Sequence, residues 1–296
     1  MKPPVVVAEI GCNHKGSLEI AKEMIGVAAT FCKADYVKFQ KRNNRELLTP
    51  EQYNAPHPNP ANAYGDTYGA HREFLELDLD QHRELRDCCK LMNIKYATSV
   101  WDLSSARDIQ SLNPDYIKIP SGTNQHYELL GYLCDHFEGQ IHISLGMTTH
   151  AEEEKLVQFF EARGRAKDLV MYACTSGYPV PFEDVCLLEI TRLRDTYGHR
   201  VGEIGFSGHH LGIATDIAAQ ALGASWIERH FTLDRTWKGT DHAASLEPDG
   251  LRRLARDVSA VAKALQHKPN ELLEIELPQR QKLKWGEYNR ADSGDK

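Results

Sequence analysis

SWIERHFTL, residues Ser225 to Leu233, is the last of a series of short β-rich runs, and its reading decides the fold. Trp226, Ile227 and Phe231 favour the pleated conformation, and the side chains of a strand alternate between its two faces. Trp226, Glu228 and His230 therefore share one face, and Ile227, Arg229 and Phe231 share the other. A carboxylate and an imidazole project together. Whether that face meets solvent, core or an active site depends on the strands upstream.

Upstream, β-rich runs alternate with segments of helical periodicity. VVVAEIG (5–11) precedes a helix capped by Ser17, YVKFQ (36–40) follows it, and beyond a long polar loop a helix is expected around Leu85 to Met92. KYATSV then leads to a helix from about Ser104, DYIKIP to one from about Tyr127, and QIHISLG to one from Ala151. LVMYACT leads to one from Glu183, EIGFSG to one from about Ile213, and SWIERHF to one from about Asp249. Eight strand–helix units is the count that closes a parallel barrel, whereas an open doubly wound sheet usually stops sooner. The expected fold is an α/β (β/α)8 TIM barrel over residues 1–266, followed by a polar C-terminal tail, 267–296, with Trp285 and Tyr288 near its end. GCNHKGS, after the first run, lacks the G-x-G-x-x-G spacing of a dinucleotide site, which weakens the Rossmann alternative.

The segment from Lys41 to Asp80 is too long for a plain connection and holds Pro50, Pro56, Pro58 and Pro60 with Tyr53, Tyr64 and Tyr68. Loops of that length are usually functional lids or disordered, and a position after the second strand puts this one on the catalytic face.

An apolar fraction of 41% and a charged fraction of 26% are ordinary for a globular chain. A net charge of -7 with scattered Lys and Arg argues against nucleic acid and against an anionic membrane surface. The N-terminal apolar run meets Glu9 too soon to be a signal-peptide core or a membrane span, so a cytoplasmic protein is expected. Seven cysteines without a C-x-x-C pair indicate neither a disulfide framework nor a cysteine zinc site.

The active site of a (β/α)8 barrel lies at the C-terminal ends of its strands. The residues there are heavily polar: Glu9; Lys38 and Gln40; Thr98 and Ser99; Lys118 and Ser121; Ser144; Thr175, Ser176 and Tyr178; Ser207 and His209; Glu228 and His230. Singly, a barrel-end hydroxyl more often ties down a loop, and a lone lysine more often snorkels outward. Lys38 and Lys118, however, each lie between apolar neighbours in buried strands. Two cations in a barrel mouth call for an anion, a phosphate or a carboxylate or both in one molecule, with hydroxyls from Ser99, Ser121, Ser144 and Ser207 around it. His209 and His230, on adjacent strands, suit Mn, Fe, Co or Zn better than Ca, and two ligands leave the open positions a catalytic metal needs. Glu9 and Glu228 are candidates for proton transfer or for holding water. The plain alternative for both is a salt bridge to one of the lysines.

The stretches AEIGCNHKGS, YVKFQ, YIKIPSG, SLGM, CTSGYPVPFEDV, GFSGHH, ERHFT and TDHAASLEP occur in an order and spacing that resembles the sialic acid synthase family, from Val5 to about Leu265. The resemblance implies condensation of phosphoenolpyruvate with an N-acylated amino sugar, an N-acetylmannosamine-like aldose, to give a sialic or other nonulosonic acid and phosphate. It implies a divalent metal, Mn²⁺ ahead of Mg²⁺ or Co²⁺, on His209 and His230. Lys38, Ser99, Lys118, Ser121, Ser144, Tyr178 and Ser207 would surround phosphoenolpyruvate, Gln40 and Asp241 would hold sugar hydroxyls, and Ser176 is a further substrate-binding candidate. Glu9 would move a proton or position water, and Glu228 would order the metal's surroundings. The resemblance further implies a homo-oligomer. Family members commonly carry a C-terminal antifreeze-like domain that supplies an arginine to a partner's sugar site, and this chain is expected to lack both. Thr123, Ser176 and Gly208 depart from the usual Glu, Asn and Asp and flank the expected pocket. In place of that domain, the stretch TYGAHREF (67–74), with Tyr68 and His71, or a neighbouring subunit is expected to close the site. The competing readings are a metal-dependent aldolase or lyase on the same barrel and a non-catalytic barrel that binds a sugar or a partner protein.

Overall fold

A computed structural model describes residues 2–286. Strands β1 (Val5–Gly11), β2 (Tyr36–Lys41), β3 (Lys95–Val100), β4 (Tyr116–Ile119), β5 (Gln140–Ser144), β6 (Leu169–Cys174), β7 (Glu203–Gly208) and β8 (Trp226–His230) form one closed parallel barrel in chain order. The last strand closes on the first, with Val5 opposite Trp226, Val7 opposite Glu228 and Glu9 opposite His230. This is the expected TIM barrel.

Alternation along each strand sorts the side chains into two environments. Outward residues such as Val6, Ala8, Ile10, Val37, Phe39, Ile117, Ile119, Ile141 and Ile143 are buried beneath the surrounding helices in two apolar clusters. The helices present matching stripes. Pro248–Ala264, opened by a proline at its first position, buries Leu251, Leu254, Val258 and Ala262. His150–Glu161, opened by a Thr149/Glu152 capping box, buries Leu156, Val157 and Phe160. The inward residues at the strand starts, Val7, Tyr36, Ala97, Tyr116, Val170, Tyr172 and Trp226, make a third cluster inside the barrel. Tyr116 stacks on His142 with centroids 3.8 Å apart, and Trp226 lies 4.6 Å from His142 and 5.4 Å from Tyr36. These rings floor the barrel.

Three expectations need correction. The helix expected near Leu85 already begins at Leu79, on an Asp78/Gln81 capping box. The helix expected from Glu183 is only a single 3-10 turn, Phe182–Asp184; the α-helix starts at Leu188, because Cys186 adopts a left-handed backbone (φ 51°) that interrupts any helix. The segment 41–80 contains short helices, Asn44–Leu47, Pro50–Asn54 and Tyr68–Phe74, with a 3-10 turn at Pro60–Asn62, each opened by the side chain of Asn43, Thr49, Thr67 or Asn59. A short helix, Leu277–Leu283, follows the barrel; Trp285 is exposed, and Tyr288 lies outside the described residues. Among the described residues no helix is long and apolar enough to cross a membrane.

Candidate active site

Two residues along β1, β2, β4 and β8, about 7 Å nearer their C-terminal ends, the inward face changes from aromatic or apolar to charged. Tyr36 gives way to Lys38, Tyr116 to Lys118, Trp226 to Glu228 and Val7 to Glu9, and all four charged side chains remain buried. They form one network. Lys38 Nζ lies 2.5 Å from Glu9 Oε2 and 3.6 Å from Glu228 Oε1, and it donates to Ser99 Oγ at 2.7 Å. Lys118 Nζ donates to Glu228 Oε1 at 2.8 Å and sits 3.8 Å from the centre of the Tyr172 ring. Ser207 Oγ donates to the same Glu228 oxygen at 3.3 Å, while Glu228 Oε2 is buried without a hydrogen-bond partner. Glu9 Oε1 accepts from Gln40 Nε2 at 2.7 Å, and Gln40 Oε1 accepts in turn from Arg42.

The two carboxylates resemble each other in burial and differ in charge balance. Burial raises Glu9 to about 7, against the pull of Lys38. Burial alone would also raise Glu228, but Lys118 and Lys38 outweigh it and hold that carboxyl at about 2. Burial lowers Lys118, and Glu228 offsets part of the loss. The salt-bridge alternative for Glu9 and Glu228 is thus what the structure contains. It does not exclude a role in chemistry, because a buried ion pair is costly and weakly stabilising in itself.

Beside this network Ser121, Ser176 and Gly146 meet. Gly146 N donates to Ser121 Oγ at 3.0 Å, and a Cβ on Gly146 would lie 2.7 Å from Ser121 Oγ and 2.4 Å from Ser176 Oγ. Only glycine leaves that space between two hydroxyls. Ser144 is buried at the end of β5, and its carbonyl accepts from Asn124 Nδ2 at 2.9 Å. The half-exposed Tyr178 ring stands 4.4 Å from His209 and 5.9 Å from His230, and the two imidazoles are 5.4 Å apart.

His209 Nδ1 lies 3.0 Å from the Thr175 carbonyl oxygen, which places a proton on Nδ1; burial would lower this ring, but Cys174 and that carbonyl outweigh it and raise it above its usual value. His230 Nδ1 is buried without a hydrogen-bond partner, 3.9 Å from Asp241 Oδ2, and burial holds the ring neutral, at about 4. Among the described residues no group of three or more His, Cys, Asp or Glu side chains is set to hold a metal. The two imidazoles, 5.4 Å apart, are donors of the kind that would suit a nitrogen-seeking divalent ion with positions left open.

The 41–80 segment reaches across the mouth, where Tyr64 Oη donates to the Lys238 carbonyl oxygen. His71 packs within this segment. It is buried, accepts from Tyr64 N at 3.1 Å and packs 4.4 Å from His57. Asp241 would be raised by burial, but His230, Arg42 and Arg72 together keep its carboxyl below the usual range. The charged and hydroxyl residues singled out from the sequence thus gather at the C-terminal end of the barrel, with one exception: Thr98 alternates outward, where its hydroxyl donates to Tyr96 Oη at 2.6 Å beneath the helices. Arg42, Gly146 and Arg229 escaped that reading. Gly146 stood in the quoted SLGM without a role, and no local pattern marks the other two.

Buried paired charges, a hydroxyl cradle and two imidazoles thus gather at the mouth of a (β/α)8 barrel, the end at which such barrels carry their active sites. Residues 24–270 match the NeuB family. The chain is 37% identical over 95% of its length to the N-acetylneuraminate-9-phosphate synthase of Homo sapiens, covering 76% of that protein. It is 34% identical over 90% of its length to the N,N'-diacetyllegionaminic acid synthase of Campylobacter jejuni, covering 78% of it. A crystal structure of N-acetylneuraminic acid (sialic acid) synthetase from Leptospira borgpetersenii superposes with a TM-score of 0.79 at 27% identity, over 96% of this chain and 94% of that one. The chain belongs to the NeuB family, the nonulosonic acid synthases.

Proposed function

We propose that the protein condenses phosphoenolpyruvate with the open-chain form of an N-acetylmannosamine-like amino sugar, giving a sialic-type 2-keto-3-deoxy acid and inorganic phosphate. The observation that carries this reading is the pair of buried lysines, each already bonded to a carboxylate or hydroxyl, at one side of a cradle formed by Ser121, Ser176 and Gly146. Such a pocket binds a small, multiply charged anion and excludes water from it.

Lys38 and Lys118 offset the substrate's charge, while Ser99, Ser121, Ser144, Ser176 and Ser207 donate to its phosphate and carboxylate oxygens, with Tyr178 as a wall. Gln40 and Asp241 hold sugar hydroxyls and so fix the aldehyde carbon over C3 of the enol. The enol π pair forms the C–C bond, a proton goes to the former aldehyde oxygen, water adds at C2, and the C–O bond to phosphate breaks. Glu9, between Lys38 and Gln40, holds or moves a proton at the reacting centre. Glu228 keeps Lys118 and Ser207 in place. His209 and His230 would hold a divalent ion, Mn²⁺ ahead of Mg²⁺ or Co²⁺, whose contribution when bound is to polarise the aldehyde oxygen.

The test is phosphate release from phosphoenolpyruvate with Mn²⁺ against a panel of N-acetylated and plain aldoses, with products identified by mass. Release that depends on one sugar supports the reading and names the acceptor. Sugar-independent cleavage, or none with any aldose, overturns it.

A further inference from the structure

Arg229 lies between Glu228 and His230 on β8 but points the other way, out of the barrel, and it is among the largest fully buried side chains. Its guanidinium donates to the carbonyls of His210 at 2.5 Å and Gly212 at 2.7 Å, bonds His210 Nε2 at 2.8 Å, and pairs with the fully buried carboxylate of Asp216. Both carbonyls belong to the loop that follows β7, the loop that carries His209. Gly208, directly opposite Arg229 in the β7–β8 register, leaves room for this arrangement, since a Cβ there would lie 2.7 Å from His210 Cε1. On the other side the His209 carbonyl accepts from Val180 N at 3.0 Å, and the His209 ring from its Nδ1 meets Thr175 O. The backbone around His209 is thus gripped from both sides, and Arg229 supplies one of the two grips.

We propose that Arg229 is a positioning residue for the imidazole pair. By clamping the 208–213 loop from behind β8, it sets His209 at a fixed separation from His230, its own neighbour in sequence, so that the pair takes up a divalent cation. A guanidinium suits this task, because its two terminal nitrogens serve two carbonyls, a ring nitrogen and a carboxylate. The inference rests on the metal assignment made above. It adds a residue that touches neither ion nor substrate.

The experiment compares wild type, Arg229→Met and Arg229→Lys by titration with Mn²⁺ alone, by phosphoenolpyruvate binding in the absence of metal, and by thermal melting. Arg229→Met is expected to weaken Mn²⁺ binding about 10- to 100-fold, the range for lost support of a metal ligand, with phosphoenolpyruvate affinity unchanged. Arg229→Lys, which keeps the charge and three donors, is expected to recover part of that loss. A folded Arg229→Met protein with wild-type Mn²⁺ affinity overturns the inference, as does an equal fall in Mn²⁺ and phosphoenolpyruvate affinity, the mark of a purely structural role. If Arg229→Met does not fold, Arg229→Lys decides alone: weaker Mn²⁺ with unchanged phosphoenolpyruvate binding supports the clamp, and unchanged Mn²⁺ binding overturns it. Wild-type protein that binds phosphoenolpyruvate but no Mn²⁺ overturns the metal assignment itself, an outcome distinct from all the others.

Discussion

The floor and the mouth of this barrel are made by the same strands and the same inward face, two residues apart, and both are buried. They are nonetheless stabilised in opposite senses. Burying Tyr36, Tyr116, Tyr172 and Trp226 is favourable in itself, because large apolar area leaves water. Burying Glu9, Lys38, Lys118 and Glu228 is unfavourable group by group and is tolerated only because each charge meets another. The floor serves the fold, and the mouth is maintained at its expense. Substitutions should therefore separate cleanly into losses of stability below and losses of function above.

The largest effect expected is on the floor. Trp226→Ala should cost about 3–5 kcal/mol of stability, read as a fall in denaturation midpoint, with the substrate affinity of the remaining folded protein little changed. A Trp226 variant that melts normally but binds no phosphoenolpyruvate would break the comparison. Next, Lys118→Met in the mouth should lower turnover by about 100- to 1000-fold in a protein that still folds, since Lys38 remains 3.6 Å from the Glu228 oxygen that Lys118 leaves. Collapse of the fold instead would show that the mouth charges are structural.

A third prediction uses pH. Burial, and then Lys118, keep His142 of the floor well below its usual range, so it stays neutral when folded and gains a proton when unfolded. Stability should fall as pH drops below about 6.5, by about 1.4 kcal/mol per pH unit for each such group. His82, on the buried face of the helix Leu79–Leu91 and held by burial at about 3, acts in the same sense down to that pH. His142→Gln should flatten the acid limb by roughly one proton, measured by denaturant melts between pH 7 and 5; an unchanged slope would mean that His142 titrates normally. The smallest effect is on Ser121→Ala, expected to weaken phosphoenolpyruvate binding about tenfold, as for one hydrogen bond to a charged group, without altering the melt.

The sequence made the barrel legible because its evidence is local: eight alternating runs, with a helix cap at Ser17. It made most of the mouth legible because strand ends converge in any such barrel, so Lys38, Lys118, His209 and His230 needed no further information to be placed together. What it hid is non-local or conformational. Cys186 in a left-handed backbone gives no signal, since cysteine seldom adopts one, and the helix after it was placed too early. The prolines of 41–80 drew the reading toward loop, although Thr49 with Gln52 formed a visible capping box. Arg229 finds Asp216 thirteen residues earlier across two elements, and nothing in ERHFT marks which way the arginine points except the alternation itself.

The β1–β8 seam has a consequence for how the protein is made. Glu9 and His230 are register partners, so a nascent chain leaving the ribosome carries a finished first strand with an unpaired edge until almost all of the barrel has been translated. Neither the pocket nor the seam exists before then. Such long-range closure is slow and leaves exposed strand edges open to wrong pairings in the interval.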